Sequence, residues 1–253
     1  MKSYMTEVVA VIPARSGSKS VVDKNIMLLS GHPLIAYSIA AAKMSKRIDR
    51  VIVSTDSDRY AEIASLYGAE VPFLRPAEFS TDASTDRDFL LHAMVWLNEH
   101  ENLLPEYWVH LRPTTPLREP VVIDQAVETL IQHGGATSLR SGHKAPESPL
   151  KWFKMDESGY FKGLITGDDE KESYNLPKEA FDDVYIPDGY VDIVKASHVM
   201  SQNTVHGNKM IGFQTPVCTE VDSSQEFEYI QFQLKKRGSP LSGYLNQCIG
   251  SEV

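Results

Sequence analysis

Residues 13 to 25, PARSGSKSVVDKN, put three cations, a glycine and several hydroxyl side chains directly behind the apolar run Glu7-Val8-Val9-Ala10-Val11-Ile12. The backbone N–H groups of such a loop can wrap an anion, while Arg15, Lys19 and Lys24 supply the positive charge that a triphosphate demands. A solvated basic loop has the same composition, and the residues alone leave both readings open. Two familiar phosphate loops fail on spacing. Gly17-Ser18-Lys19-Ser20 has the tail of a Walker A loop, but a serine parts glycine from lysine and the earlier glycine is missing. The dinucleotide fingerprint needs three glycines opening a helix, whereas a single glycine here precedes Val21-Val22-Asp23, a poor helix start. No Ser-His-Asp spacing or GxSxG elbow suggests a hydrolase.

The elements that must position this loop alternate. Glu7 to Ile12 reads as a strand buried on both faces and ended by Pro13. Pro33 to Ala42 follows with helical spacing and proline in the first turn. Arg50 to Thr55 is a second strand, and Asp56 or Ser57 caps a helix that Gly68 closes, Asp56 being the preferred cap. A helix through Phe89 to Met94, a strand at Tyr107 to Leu111, a helix from Val121 to His133 and a strand at Ala136 to Leu139 continue the order. Strand and helix in alternation predict a doubly wound α/β sandwich with a mostly parallel sheet. Residues 141 to 183 break the pattern with proline, glycine and charge, and read as an inserted arm within a single domain spanning 1 to 253. Regular structure resumes at Val184 to Ile186, turns at Pro187-Asp188-Gly189 and continues through Tyr190 to Val194. A strand at Met210 to Phe213 and a last helix through Phe227 to Leu234 complete the reading. His92 and His110 are expected to be packed inside elements, and Lys235-Lys236-Arg237 to complement a helix dipole.

Composition narrows the function classes. Over 253 residues, 42% hydrophobic and 23% charged, the net charge is −9, which argues against a nucleic-acid partner. Cys218 and Cys248 lack CxxC spacing and fit a reducing cytoplasm better than a zinc site or a disulfide framework. No run of ~18 apolar residues and no cleavage-site pattern occurs, so neither membrane insertion nor export is expected.

Taken together, Ala14-Arg15-Ser16-Gly17-Ser18-Lys19, Lys24-Asn25 and Gly31-His32-Pro33-Leu34-Ile35 resemble the signature of the acylneuraminate cytidylyltransferases, the CMP-sialic acid synthetases. The likeness continues in order through Val53-Ser54-Thr55-Asp56, Val71 to Pro76, Leu111 to Arg118 and Pro187 to Asp192. The octulosonate cytidylyltransferases, whose first loop lacks GSK, are a more distant match. The resemblance implies a Rossmann-like nucleotidyltransferase fold and transfer of CMP from CTP to the anomeric hydroxyl of a nonulosonic acid, with release of pyrophosphate. It also implies that the inserted arm makes a homodimer and lines the partner's sugar pocket.

By the same resemblance the nucleotide lies on Ala14, Arg15, Ser16, Gly17, Ser18, Lys19, Lys24, Asn25, Arg75, Ser84 and Asp86. Arg15 and Lys24 then stabilise charge on the departing pyrophosphate, with amides of Ser16 to Ser18 assisting. The segment Glu220-Val221-Asp222 matches a D-x-D metal pattern, in which alternate carboxylates share a Mg²⁺ or Mn²⁺ ion, Asp222 being the principal ligand. An acidic residue before Ser223-Ser224 can equally be a helix cap. The sugar side departs from the family pattern at Arg112, Lys178, Glu179 and Asp188, while Thr114 keeps it. An arginine can pair with a sugar carboxylate and a glutamate would repel it, so the expected acceptor is not plain N-acetylneuraminate. Legionaminic acid, pseudaminic acid or another acidic sugar fits equally. A nucleotide-binding homologue without transferase activity, and transfer from another nucleoside triphosphate, stand as alternatives.

Overall fold

Valine, alanine and isoleucine fill β1 (Val8–Pro13), and every residue up to Ile12 is buried, as a central strand with both faces covered requires. The computed structural model describes residues 7–17, 22–164 and 172–250. After the loop behind β1, the two-residue strands β2 (Leu28–Leu29) and β3 (His32–Pro33) pair as a small hairpin and lead into α1 (Leu34–Met44). Nine consecutive residues of α1, Leu34 to Ala42, are buried, so this alanine-rich helix has no solvent face. Next come β4 (Arg50–Ser54), α2 (Asp58–Leu66), α3 (Asp86–Glu101), β5 (Tyr107–His110) and α4 (Pro120–Gln132), which starts on proline one residue ahead of the expected Val121. The chain continues with β6 (Ser138–Lys144), the short hairpin β7 (Phe153–Met155) and β8 (Phe161–Gly163), β9 (Tyr185–Lys195), α5 (Ala196–Ser201), β10 (Met210–Gln214), α6 (Ser224–Arg237) and α7 (Ser242–Gly250).

The main sheet is six-stranded in the order β10-β6-β9-β5-β1-β4. β4, β1 and β5 run parallel, as do β6 and β10, while β9 lies antiparallel between β5 and β6. Helices cover both faces. Val8, Ala10, Ile12, Val109 and Val191 share one core with residues of α1, α4, α6 and α7, and Val9, Val11, Ile52 and Trp108 share the other with residues of α3 and α5.

Several expectations are corrected here. Pro187-Asp188-Gly189 is no turn but part of the continuous strand β9. Gly189 adopts φ 61°, and the β6–β9 register shifts between Arg140 and Gly142, so the turn-like residues make a bulge that bends the strand without ending it. The irregular stretch from 141 onward begins with strand, because β6 extends to Lys144, and it contains the β7–β8 hairpin. The last helix is α7, not α6: Leu241 and Leu245 are buried, and Tyr244 Oη donates to the Tyr67 carbonyl at 3.0 Å.

Candidate active site

A cleft of about 260 Å³ opens beyond the carboxyl ends of β1 and β5, where parallel sheets place their ligands. Arg15, Lys24, Asn25, Arg75, Ser84, Asp86, Arg112 and Thr114 all line it. The structure therefore gathers residues scattered over a hundred positions of sequence around one cleft.

The loop after β1 stays tied to the sheet. Ala14 N–H donates to the Ser54 carbonyl at 2.9 Å, and Asn25 Nδ2 donates to the Arg15 carbonyl at 3.1 Å. Asp56 then takes both donors of Ser16, its N–H at 2.7 Å and its hydroxyl at 2.9 Å. This replaces the expected capping role: Ser57 caps α2, its Oγ accepting Tyr60 N–H at 3.4 Å, and Asp56 is free to latch the loop. The Ser16 amide, expected on phosphate, is held by Asp56 instead. Gly17 follows with φ 69°, a conformation that side chains disfavour. Ser18 and Lys19 lie outside the described residues. Arg15 reaches Asp82 at 2.8 Å, and Lys24 Nζ reaches Asp222 Oδ1 at 2.8 Å.

Asp222 does not cap α6. Ser223 does, through a capping box with Glu226, whose Oε2 also accepts Asp222 N–H at 2.8 Å. Glu220 accepts Thr114 Oγ1 at 2.8 Å, and between the two acids Val221 is fully buried, its N–H donating to the Thr114 carbonyl at 2.7 Å. Glu220 and Asp222 thus flank a buried residue, one held by Thr114 and the other by Lys24. Among the described residues no three His, Cys, Asp or Glu side chains converge on a metal position. Two carboxylates beside a triphosphate suit magnesium nonetheless, because that ion usually takes one or two protein carboxylates plus phosphate oxygens and water. Asp222 presents a side chain 63% exposed, with Oδ1 on Lys24.

On the opposite wall Arg75 is 5% exposed. Its Nε donates to Ser54 Oγ at 3.0 Å, a terminal nitrogen donates to the Ser54 carbonyl, and its guanidinium carbon lies 5.3 Å from the Phe89 ring centre. Burial pulls its pKa down to about 10, which leaves it charged at neutral pH. Arg112 is clamped between Asp192 at 2.9 Å and Asp86 at 2.7 Å. Burial lowers its pKa, but the two carboxylates outweigh burial and the net shift is upward.

The remaining sugar-side residues lie elsewhere. Asp188 is buried in the β9 bulge, where it accepts Ser141 Oγ at 2.6 Å, Tyr190 N–H at 3.0 Å and the Thr215 hydroxyl. It braces the strand and presents no open oxygen to the cleft. Lys178 and Glu179 sit on an exposed 3-10 turn, Lys178–Ala180, beside a separate hollow of about 330 Å³.

Sequence reasoning passed over four residues. Besides Asp56, His110 lines the cleft while fully buried. Desolvation, reinforced by Arg112 and Arg118, drives its pKa well below the histidine value, and among the described residues its Nε2 has no hydrogen-bond partner. Asp192 compensates Arg112. Arg118 is 1% exposed and binds no carboxylate: it donates to the carbonyls of Tyr190, Arg112 and Gly189 and to Ser38 Oγ, tying the loop after β5 to the bulge and to α1. Only their positions inside the family-like segments flagged Asp56, Asp192 and Arg118, and His110 lies one residue ahead of such a segment.

The sequence profile of the cytidylyltransferase family matches residues 9–181. An N-acylneuraminate cytidylyltransferase from Escherichia coli O18:K1:H7 is 30% identical over 255 residues, covering 95% of this chain and 55% of that protein. A CMP-N,N'-diacetyllegionaminic acid synthase from Legionella pneumophila is 42% identical over 124 residues, 48% of this chain and 52% of that protein. The chain spans about half the length of these two curated relatives. In three dimensions it matches a CMP:2-keto-3-deoxy-manno-octonic acid synthetase complexed with CTP, with a TM-score of 0.67 and 14% identity over 91% of this chain and 99% of that one. At that identity the likeness speaks for the fold. With the matched profile spanning more than half of its length, the chain belongs to the cytidylyltransferase family.

Proposed function

We propose that this chain transfers CMP from CTP to the anomeric hydroxyl of a nonulosonic acid and releases pyrophosphate. The observation that carries the reading is the convergence of Arg15, Lys24, Asn25, Arg75, Ser84 and Asp86 on one cleft at the strand ends. The sugar oxygen attacks the α-phosphorus, an O–P bond forms, the bond to the β-phosphate oxygen breaks, and the hydroxyl proton leaves to solvent or base. Negative charge grows on the departing pyrophosphate, where Arg15 and Lys24 act as preorganised cations. Arg75 and the Ser84 to Asp86 turn hold the cytidine end. No enzyme nucleophile is required.

Asp222, with Glu220 beside it, would hold Mg²⁺ or Mn²⁺, which neutralises triphosphate charge when bound. A homodimer is supported by the arm, where Phe153 and Phe161 stack at 5.5 Å and remain 44% and 67% exposed. A cytoplasmic location fits two free cysteines, and among the described residues no helix is long and apolar enough to cross a membrane.

The test is pyrophosphate release with CTP and Mg²⁺ against neuraminic, legionaminic, pseudaminic and octulosonic acids. Release with one of these acids, and preference for CTP over UTP in competition, is expected. A second reading, a nucleotide-binding homologue without activity, draws on Arg112, whose guanidinium is already occupied by two carboxylates. Tight CTP binding with no release across the panel would favour it.

A further inference from the structure

We infer that Arg140 is the anion-reading residue of the acceptor subsite, and that the sugar acid lies in the groove over β6 and β10, a reading that rests on the cytidylyltransferase function proposed above. The argument starts from register. His110 pairs with Asp192, Asp192 with Arg140, and Arg140 with Gly212, so a single row crosses β5, β9, β6 and β10. Residues directly opposite in a sheet point to the same face, so these four positions share one face and are spaced ~4.8 Å per strand. At the β5 end the row enters the nucleotide cleft through His110 and Arg112. At the β10 end it enters a groove of about 390 Å³ lined by Arg140, Tyr185, Pro187, Met210 and Gly212.

Charge decides which arginine reads the acid. Asp86, Arg112 and Asp192 together carry one net negative charge, and both free faces of the Arg112 guanidinium are taken. A sugar carboxylate approaching that triad alone would be repelled. Arg140 brings the row to neutrality, and among the described residues it has no ion pair, while its buried Nε has no acceptor. The buried Nδ1 of His206, whose pKa burial lowers and which feels the charge of Arg140, is likewise without a partner. Unpaired buried donors are costly, and an arriving carboxylate satisfies a guanidinium with two charge-assisted bonds. The groove beside Arg140 is mainly apolar and large enough for a nine-carbon sugar acid. In a 2-keto sugar acid the carboxylate is attached to the anomeric carbon, so seating it on Arg140 keeps the attacking hydroxyl close to the charged row that leads into the cleft.

Two variants test this with pyrophosphate release, using whichever panel acid the wild type turns over fastest. Arg140→Met keeps the apolar stem and removes the charge. The acceptor KM should rise about tenfold or more while the CTP KM stays within about twofold, with Arg140→Lys recovering part of the loss. The methyl ester of the same acid should react alike with wild type and Arg140→Met, since the group that Arg140 reads is gone. Gly212→Val provides an independent arm: a Cβ built at Gly212 meets no heavy atom within 4 Å, so the new side chain starts in open space and narrows the groove. That variant should also raise the acceptor KM alone. An acceptor KM unchanged in both variants, or CTP and acceptor constants moving together, overturns the assignment. Silence of the wild type with every acid sinks the cytidylyltransferase reading itself, and the subsite with it.

Discussion

Lys24 Nζ lies 2.8 Å from Asp222 Oδ1, closing an ion pair between residues 198 positions apart. The lysine side chain is 11% exposed and the carboxylate 63%, so the cation is largely buried at the cleft and the anion largely open to solvent. In this pair each neutralises the other. A triphosphate with its divalent ion offers both a new partner, phosphate for the lysine and cation for the carboxylate. Lys24→Met should therefore lower kcat by ~10²-fold, the loss typical of one preorganised donor. Asp222→Asn should instead raise the Mg²⁺ concentration giving half-maximal rate. Steady-state pyrophosphate release at varied Mg²⁺ separates the two, and an unchanged Mg²⁺ dependence in Asp222→Asn would remove that residue from metal binding.

Asp56 holds Ser16 by two bonds, so Asp56→Ala should loosen the loop, and it also removes a carboxylate that favours the charged form of Arg75. The CTP KM is expected to rise about tenfold with a smaller change in kcat, because hydrogen bonds to a charged acceptor are worth ~1.5–3 kcal/mol. Asp56→Asn retains one acceptor and should fall between. Equal kinetics for all three proteins would reduce the latch to an ornament of the resting loop.

Arg112→Met strands Asp192, which is 2% exposed. Breaking a buried pair from one side typically costs ~3–5 kcal/mol, whereas removing both charges can be nearly neutral. Urea denaturation should show a large loss for Arg112→Met and substantial recovery for Arg112→Met with Asp192→Asn. Recovery absent from the double variant would mean that Arg112 stabilises through other contacts.

Buried His110 titrates well below its unfolded value, chiefly through desolvation. Below pH ~6.5 the unfolded chain binds a proton that the folded chain refuses, so stability is full above that pH and falls as the medium is acidified toward the folded pKa. The slope is at most ~1.4 kcal/mol per pH unit for one such histidine. His92 and His206 shift in the same direction, again mainly by burial. His110→Leu should flatten the dependence between pH 6.5 and 5 without abolishing it, as thermal melts across that range can show. A slope identical to wild type would mean that His110 is already protonated in the fold.

The order of strands and helices was legible because each depends on local pattern. The valine run of β1 and the apolar spacing of α4 and α6 carry their signals within a few residues. The cationic loop and the acids at Glu220 and Asp222 could likewise be named from residue type and order. Local signals were ambiguous at Asp56-Ser57, where either residue can cap α2, and at Pro187-Asp188-Gly189, where turn-forming residues also make a bulge. In both cases the decision came from distant chain: Ser16 claims Asp56 across 40 residues, and Ser141 and Thr215 bind Asp188 inside the sheet. The sequence by itself thus determined the α/β alternation, the cationic loop and the family resemblance. Tertiary structure alone decided which charges are compensated, Arg112 by Asp86 and Asp192, and which remain open, Arg140. Hydrogen bonds and ion pairs act over about 3 Å in space, and no spacing along the chain encodes that distance.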